Sequence, residues 1–144
     1  MAEQRSQPRY DARLLHDQRV PTRDGIRLSA DVYLPMAAGS FPTIVQWTPY
    51  ESTRERFIAW GVWFARRGYA AVVVDVRGRY ESEGVLDPWV LDGVDAQDTL
   101  SWAAGEPWCN GRIGTWAVTF TLNEPPLLSM SSTTMSECAG MVSL

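Results

Sequence analysis

Asp75, Arg77 and Glu83 follow directly on the apolar run Ala70-Ala71-Val72-Val73-Val74. Acids and a guanidinium gathered where a strand ends could form a catalytic or cation-binding cluster. Charged groups also gather in purely structural networks, and pairing of the strand-end Asp75 with Arg77 is the expected arrangement. Asp92, Asp95 and Asp98 have a helical spacing that suggests calcium, but no calcium-loop pattern of Gly and acids follows them. Cys109, within Pro107-Trp108-Cys109-Asn110-Gly111, has no His near it in sequence and reads as a small buried apolar residue. His16, the only histidine, could in principle act as a general base. It lies in a polar N-terminal segment and is expected to be a solvated side chain on a loose arm. No metal and no cofactor is expected from these residues.

The apolar pattern supplies the elements that must position them. Residues 70–76 are small and β-branched without alternation, as in a parallel strand buried on both faces. Upstream, Ile26, Leu28, Ala30 and Val32 alternate with Arg27, Ser29 and Asp31 behind the turn signal Asp24-Gly25. This predicts an antiparallel hairpin over 19–35, closed by a two-residue turn, with one apolar face. Residues 43–48 form a second buried strand ended by Pro49-Tyr50. Residues 57–67 read as a helix whose aromatic side chains pack on a sheet, with Arg66-Arg67 complementing its carboxyl end and Gly68 capping it. A further helix over 92–104, acidic early, leads to a strand over 111–120 that runs into a turn. Strands alternating with helices indicate a parallel sheet.

Composition excludes several classes of function. The 144 residues carry a net charge of −4, which gives no electrostatic reason to expect nucleic acid as a partner. Hydrophobic content of 45% is that of a globular protein rather than a disordered one. Cys109 and Cys138 make no framework of spaced pairs. The start of the chain lacks the apolar core of a signal peptide, and no uncharged apolar run is long enough to span a bilayer. A cytoplasmic protein without a membrane partner is the expectation. All 13 basic residues are Arg, for which we have no functional account.

From about Val20 to Trp116 the chain resembles the cocaine esterase and X-Pro dipeptidyl-peptidase family of α/β-hydrolase serine enzymes. The resemblance rests on Val20-Pro21 with Arg23-Asp24-Gly25, Asp31-Val32-Tyr33 and Thr48-Pro49-Tyr50. It continues through Arg67-Gly68-Tyr69, Asp75-Val76-Arg77-Gly78 with Ser82-Glu83-Gly84, and Asp92-Gly93 with Asp95. Pro107-Trp108-Cys109-Asn110-Gly111 with Ile113-Gly114 completes it. Each piece is weak alone, whereas the ordered set is specific. The resemblance implies the N-terminal portion of an α/β-hydrolase fold, an antiparallel hairpin leading into a parallel sheet with flanking helices. It also implies hydrolysis of an ester, an amide or an Xaa-Pro peptide bond through a Ser-Asp-His triad, and small acyl or peptide substrates. Tyr50 matches the family position whose phenol hydroxyl helps stabilise the oxyanion.

At the turn that should carry the nucleophile, the resemblance lapses. Relatives have Gly-x-Ser-Tyr-x-Gly there, and the matching stretch is Ala117-Val118-Thr119-Phe120-Thr121-Leu122. The nucleophile position is Thr119, a β-branched residue poorly suited to a strained elbow, and both flanking glycines are replaced. Family triads also place the His after the nucleophile, which leaves His16 outside that role. Residues 113–144 contain no basic residue, and Pro125-Pro126 would interrupt a helix. The expected organisation is therefore a polar arm over 1–18, a partial hydrolase domain over 19–120, and an atypical tail over 121–144, disordered or produced by a frame shift near Trp116. A truncated, inactive hydrolase is the expectation, with an acyl-ligand-binding or interaction module as the alternative. A strand left open at the sheet edge would invite self-association.

Overall fold

The computed structural model describes residues 6–87, 92–116 and 142–143. One mixed sheet holds them together, with strand order β1-β2-β4-β3-β5-β6. The strands are β1 Ala12–Pro21, β2 Arg27–Pro35, β3 Phe41–Thr48, β4 Ala70–Asp75, β5 Cys109–Thr115 and β6 Val142–Ser143. Helix α1, Glu55–Ala65, links β3 to β4, and α2, Asp92–Gly105, links β4 to β5. β1 and β2 form the antiparallel hairpin and β2 lies antiparallel to β4, while β3 runs parallel to both β4 and β5. This is the architecture expected from the alternation of strands and helices.

β4 is apolar throughout except at its end because both its faces are covered. Ala71 and Val73 share one core with Tyr33 and with Phe57, Phe64 and Ala65 of α1. Val72 and Val74 share the other with Leu28, Val32, Val45, Ala103 and Trp108. The α1 packing is close. A Cβ on Gly61 would lie 2.3 Å from the Tyr33 ring, so only glycine lets the helix approach β2 this far. The helix closes on Gly68, whose φ of +91° suits glycine. There the N–H of Gly68 donates to Ala65 O and that of Tyr69 to Phe64 O, a Schellman-type ending. Arg67 donates to Trp63 O at 3.0 Å, so it does serve the carboxyl end. The aromatic set is not wholly core, since Trp63 is 46% exposed.

Several expectations need correction. The loose arm over 1–18 is shorter than expected, because β1 begins at Ala12 and pairs with β2 over Ala12–Leu15 and Gln18–Pro21. Polar side chains hid this strand: an edge strand buries few of its residues. The hairpin turn has three residues between Thr22 and Ile26, not two. Thr22 N–H donates to Ile26 O, Gly25 N–H donates to Thr22 O, and Gly25 has a φ of +85°, the geometry of a type I turn closed by a left-handed residue. β2 has no solvent face: Leu28 to Pro35 are all buried. Its polar residues Ser29 and Asp31 are buried too, because β2 lies between β1 and β4 and under α1. At the other side, β5 pairs over Arg112 and Ile113 with the two residues of β6, so this edge is partly paired rather than open. Among the described residues no helix is long and apolar enough to cross a membrane. Of the tail expected over 121–144, only Val142 and Ser143 are described.

Candidate active site

β3, β4 and β5 end on the same side of the sheet, the edge where open α/β sheets bind ligands. β3 and β5 are neighbours there, with Val45 opposite Thr115. Trp116 N–H donates to Val45 O at 2.9 Å, so the chain leaving β5 departs beside the loop leaving β3. That loop carries Tyr50, whose N–H donates to Thr48 Oγ1 at 3.0 Å. Tyr50 and Trp116 are both partly buried against the α1 core together with Trp60. The Trp60 and Trp116 rings lie edge to face, 3.6 Å between centroids. Arg56 and Arg54 flank the Tyr50 ring, their guanidinium carbons 5.3 and 5.7 Å from its centre. The position implied for an oxyanion donor therefore lies on the loop of the strand that pairs with the one leading to the implied nucleophile. Thr119 itself, three positions past Trp116, lies outside the described residues.

Two acidic clusters sit at the end of β4, one on each side of the sheet. Toward α2, Arg77 is the centre. It donates to both oxygens of Asp95, at 2.9 and 2.6 Å, and to both oxygens of Asp24, at 2.8 and 3.1 Å. These two bidentate pairs tie the hairpin turn, the end of β4 and helix α2 together. The hydrogen bond from Arg77 holds the Asp24 carboxyl well below the usual range, with Thr22 adding to it. The pairing expected between Asp75 and Arg77 does not occur. Residues two apart at a strand end point to the same side in a regular strand, but the backbone turns after Asp75. Glu83 pairs elsewhere, with Arg27 at 2.8 Å. The three residues thus serve three separate contacts and form no common site. The side chain of Asp92 is not described, while Asp98 pairs with Arg23 at 2.7 Å.

Toward α1, Asp75 meets residues that the sequence did not single out. Ser52 N–H donates to Asp75 Oδ1 at 2.7 Å, and Ser52 Oγ lies 3.2 Å from Asp75 Oδ2 and 2.9 Å from Asp31 Oδ2. The other oxygen of Asp31 accepts from His16 Nδ1 at 2.6 Å and from Asp17 N–H at 3.0 Å. His16 is thus fixed on β1 by a carboxylate rather than free on an arm, although its side chain is 57% exposed. His, Asp and Ser are all present, but in the wrong order for a triad. Asp31 separates the ring from the hydroxyl, so His16 cannot take a proton from Ser52, and Ser52 is buried. Burial pushes the Asp75 carboxyl up to about 6, against hydrogen bonds from Ser52 that lower it and with further raising by Asp31 and Glu51. The signal that could have found this cluster was the polar set Ser29 and Asp31 on a strand that must lie inside the sheet.

Cys109 is buried at the start of β5, as expected. Among the described residues no three His, Cys, Asp or Glu side chains converge on a point that could hold a metal ion. An apolar cavity of about 360 Å³ between α2 and β5, lined by Ala96, Leu100 and Ile113 among others, brings no acid, base or nucleophile to Tyr50.

Residues 24–120 match the family described as X-Pro dipeptidyl-peptidase (S15 family). The chain is 42% identical over 107 residues to the cocaine esterase of Rhodococcus sp. (strain MB1 Bresler), covering 70% of this chain and 18% of that enzyme. Its fold is similar to that of a CocE/NonD family hydrolase from Staphylococcus aureus, with TM-score 0.64 and 27% identity over 71% of this chain and 22% of the other. It is likewise similar to an alpha-amino acid ester hydrolase, with TM-score 0.61 and 29% identity over 74% of this chain and 21% of the other. The chain spans about a fifth of the length of these relatives.

Proposed function

The chain belongs to the X-Pro dipeptidyl-peptidase (S15) family of α/β hydrolases, and from that premise we propose that it forms the oxyanion side of an acyl-hydrolase site without supplying a working nucleophile. Family members act on ester or peptide substrates. The chemistry assigned to Tyr50 is donation from its hydroxyl to the oxygen of a carbonyl under attack, where a preplaced donor is worth most because charge develops there. The observation that carries this reading is that Tyr50, on the loop leaving β3, and Trp116, leaving the neighbouring β5, pack against the same α1-side core.

Inactivity of these residues by themselves follows from their chemistry. Thr119 stands where relatives have serine, and a branched Cβ fits a strained elbow poorly. His16, the single imidazole of the sequence, is on β1 and bonded to Asp31. Neither can form the base-activated pair that nucleophilic catalysis needs. We also attribute the atypical residues after Trp116 to a shifted reading frame, a proposal tested by reading the coding DNA in the other two frames for Gly-x-Ser-Tyr-x-Gly.

The protein should show neither turnover of 4-nitrophenyl acetate nor labelling by a fluorophosphonate. Labelling that disappears in Thr119→Ala would overturn the inactive reading. A non-catalytic acyl-binding role is favoured by the retained Tyr50 and its aromatic surroundings. Benzoate should raise the thermal midpoint of the wild-type chain and not that of Tyr50→Phe. Equal shifts in both would remove Tyr50 from the site.

A further inference from the structure

The buried pair on the α1 side holds two carboxylates against one hydroxyl. Ser52 Oγ has a single hydrogen, yet it lies within bonding distance of Asp31 Oδ2 and of Asp75 Oδ2. Asp31 is fully supplied as a carboxylate: His16 and Asp17 donate to one oxygen, and Ser52 Oγ donates to the other at 2.9 Å. Asp75 has the Ser52 N–H on Oδ1 and no guanidinium or imidazole bonded to it among the described residues. If both acids were ionised, the 3.2 Å contact between Ser52 Oγ and Asp75 Oδ2 would set lone pair against lone pair. A proton on Asp75 Oδ2 resolves this, because Asp75 then donates to Ser52 Oγ while Ser52 donates to Asp31.

We propose that Asp31, Ser52 and Asp75 form a one-proton relay that positions the loop carrying Tyr50, so that release of the Asp75 proton breaks the Ser52 Oγ contact and shifts that loop. Asp75 and Asp31 are thereby positioning residues, acting through Ser52 on the tyrosine two residues before it. The functional meaning of the displacement rests on the role proposed for Tyr50, whereas the relay itself does not.

The surroundings favour a neutral Asp75. From β2 it faces Asp31, and from the loop it faces Glu51, both acids. From β1, His16 and Asp17 reach it only through Asp31. On its own exit strand Arg77 is committed to Asp24 and Asp95, and Arg79 donates to Pro49 O at 3.3 Å. That last bond gives the loop a second anchor, at the residue next to Tyr50. Loss of the Asp75 proton therefore breaks the contact between Asp75 Oδ2 and Ser52 Oγ, while the Ser52 N–H stays on Asp75 Oδ1 and Arg79 keeps the Pro49 side in place.

The test is an NMR titration of the whole chain between pH 4 and 8, following aspartate side-chain carboxyl carbons, the Ser52 amide and the Tyr50 ring. One carboxyl, lost in Asp75→Asn, should titrate at least about one pH unit above the ordinary aspartate value. The Ser52 amide and Tyr50 ring should shift with the same midpoint. Asp31→Asn, which removes the facing charge, should move that midpoint to lower pH. An Asp75 carboxyl that titrates at or below the ordinary value overturns the relay, and so do Tyr50 signals that stay flat across its titration. The wild-type titration decides the matter even where a variant fails to fold. Because nothing here requires turnover or ligand, failure of the relay is distinct from failure of the oxyanion reading, which the benzoate comparison tests.

Discussion

Two acidic clusters lie at the end of one strand and differ in how their acids meet a cation: a guanidinium grips both acids on the α2 side, whereas on the α1 side an imidazole reaches only Asp31. On the α2 side Asp24 and Asp95 share Arg77, each through two hydrogen bonds. On the α1 side Asp31 and Asp75 share only a serine hydroxyl. In the first cluster each carboxylate is paired with the same guanidinium, which joins three separate segments of chain, so it is framework. In the second, Asp75 has no cation bonded to it among the described residues and sits beside the loop of Tyr50, so its proton content can change near neutral pH. Burial alone does not say which of these roles a carboxylate takes; the partner does.

The contrast is broken most severely by removing the guanidinium. Arg77→Ala leaves Asp95 buried without a partner and should lower stability by about 3–5 kcal/mol in urea unfolding. A loss under about 1 kcal/mol, the scale of a surface pair, would show that the cluster is not a clamp.

The second expectation concerns the sign of pH dependence on the α1 side. The Asp75 carboxyl is raised to about 6 by burial, above its value in the unfolded chain. Its contribution is fully present below about pH 4 and is lost as pH rises through 6. Asp75→Asn has no such slope, so from pH 4 to 7 the variant should gain on the wild type by on the order of 1–3 kcal/mol. A constant difference across that range would make Asp75 a structural acceptor only.

The α2 side should give the opposite slope at lower pH. Asp24 is depressed, chiefly by its hydrogen bond to Arg77, so its contribution is present above the ordinary carboxylate range and is lost as pH falls through its lowered value. Asp24→Asn should therefore flatten the acid limb of the stability curve and leave the limb between pH 5 and 7, roughly the range of Asp75, unchanged. An effect confined to the higher range would reverse the assignment.

The smallest effect is expected from Arg23→Ala. Arg23 and Asp98 are paired at 2.7 Å, but the Arg23 side chain is 55% exposed, and such pairs add little in water. A shift of the unfolding midpoint comparable to that of Arg77→Ala would mean that exposure does not separate the two arginines.

Much of this could be read from the residues in order. The unbroken apolar run of β4 announced a strand covered on both faces. Ile26, Leu28, Ala30 and Val32 announced the second hairpin strand, and the motifs around Tyr50, Asp75 and Gly78 announced the family. What escaped was set by neighbours distant in sequence. β1 escaped because its exposed edge carries polar residues. The α1-side cluster escaped because Asp31, Ser52 and Asp75 are brought together only when β2 pairs with β4 and the loop after β3 folds over both. The strand-end Asp75 was expected to pair with Arg77, yet Arg77 found Asp24 in the hairpin turn and Asp95 on α2, and Asp75 found Ser52 in the loop after β3.

The sequence by itself therefore determined the elements from β2 to β5, the parallel pairing within them and the family, since these depend on local apolar periodicity and on motifs contiguous in the chain. Tertiary structure alone decided which acid is paired with a cation and which keeps a proton. That choice depends on the nearest charge and the nearest water, and both are set by packing between segments far apart in sequence.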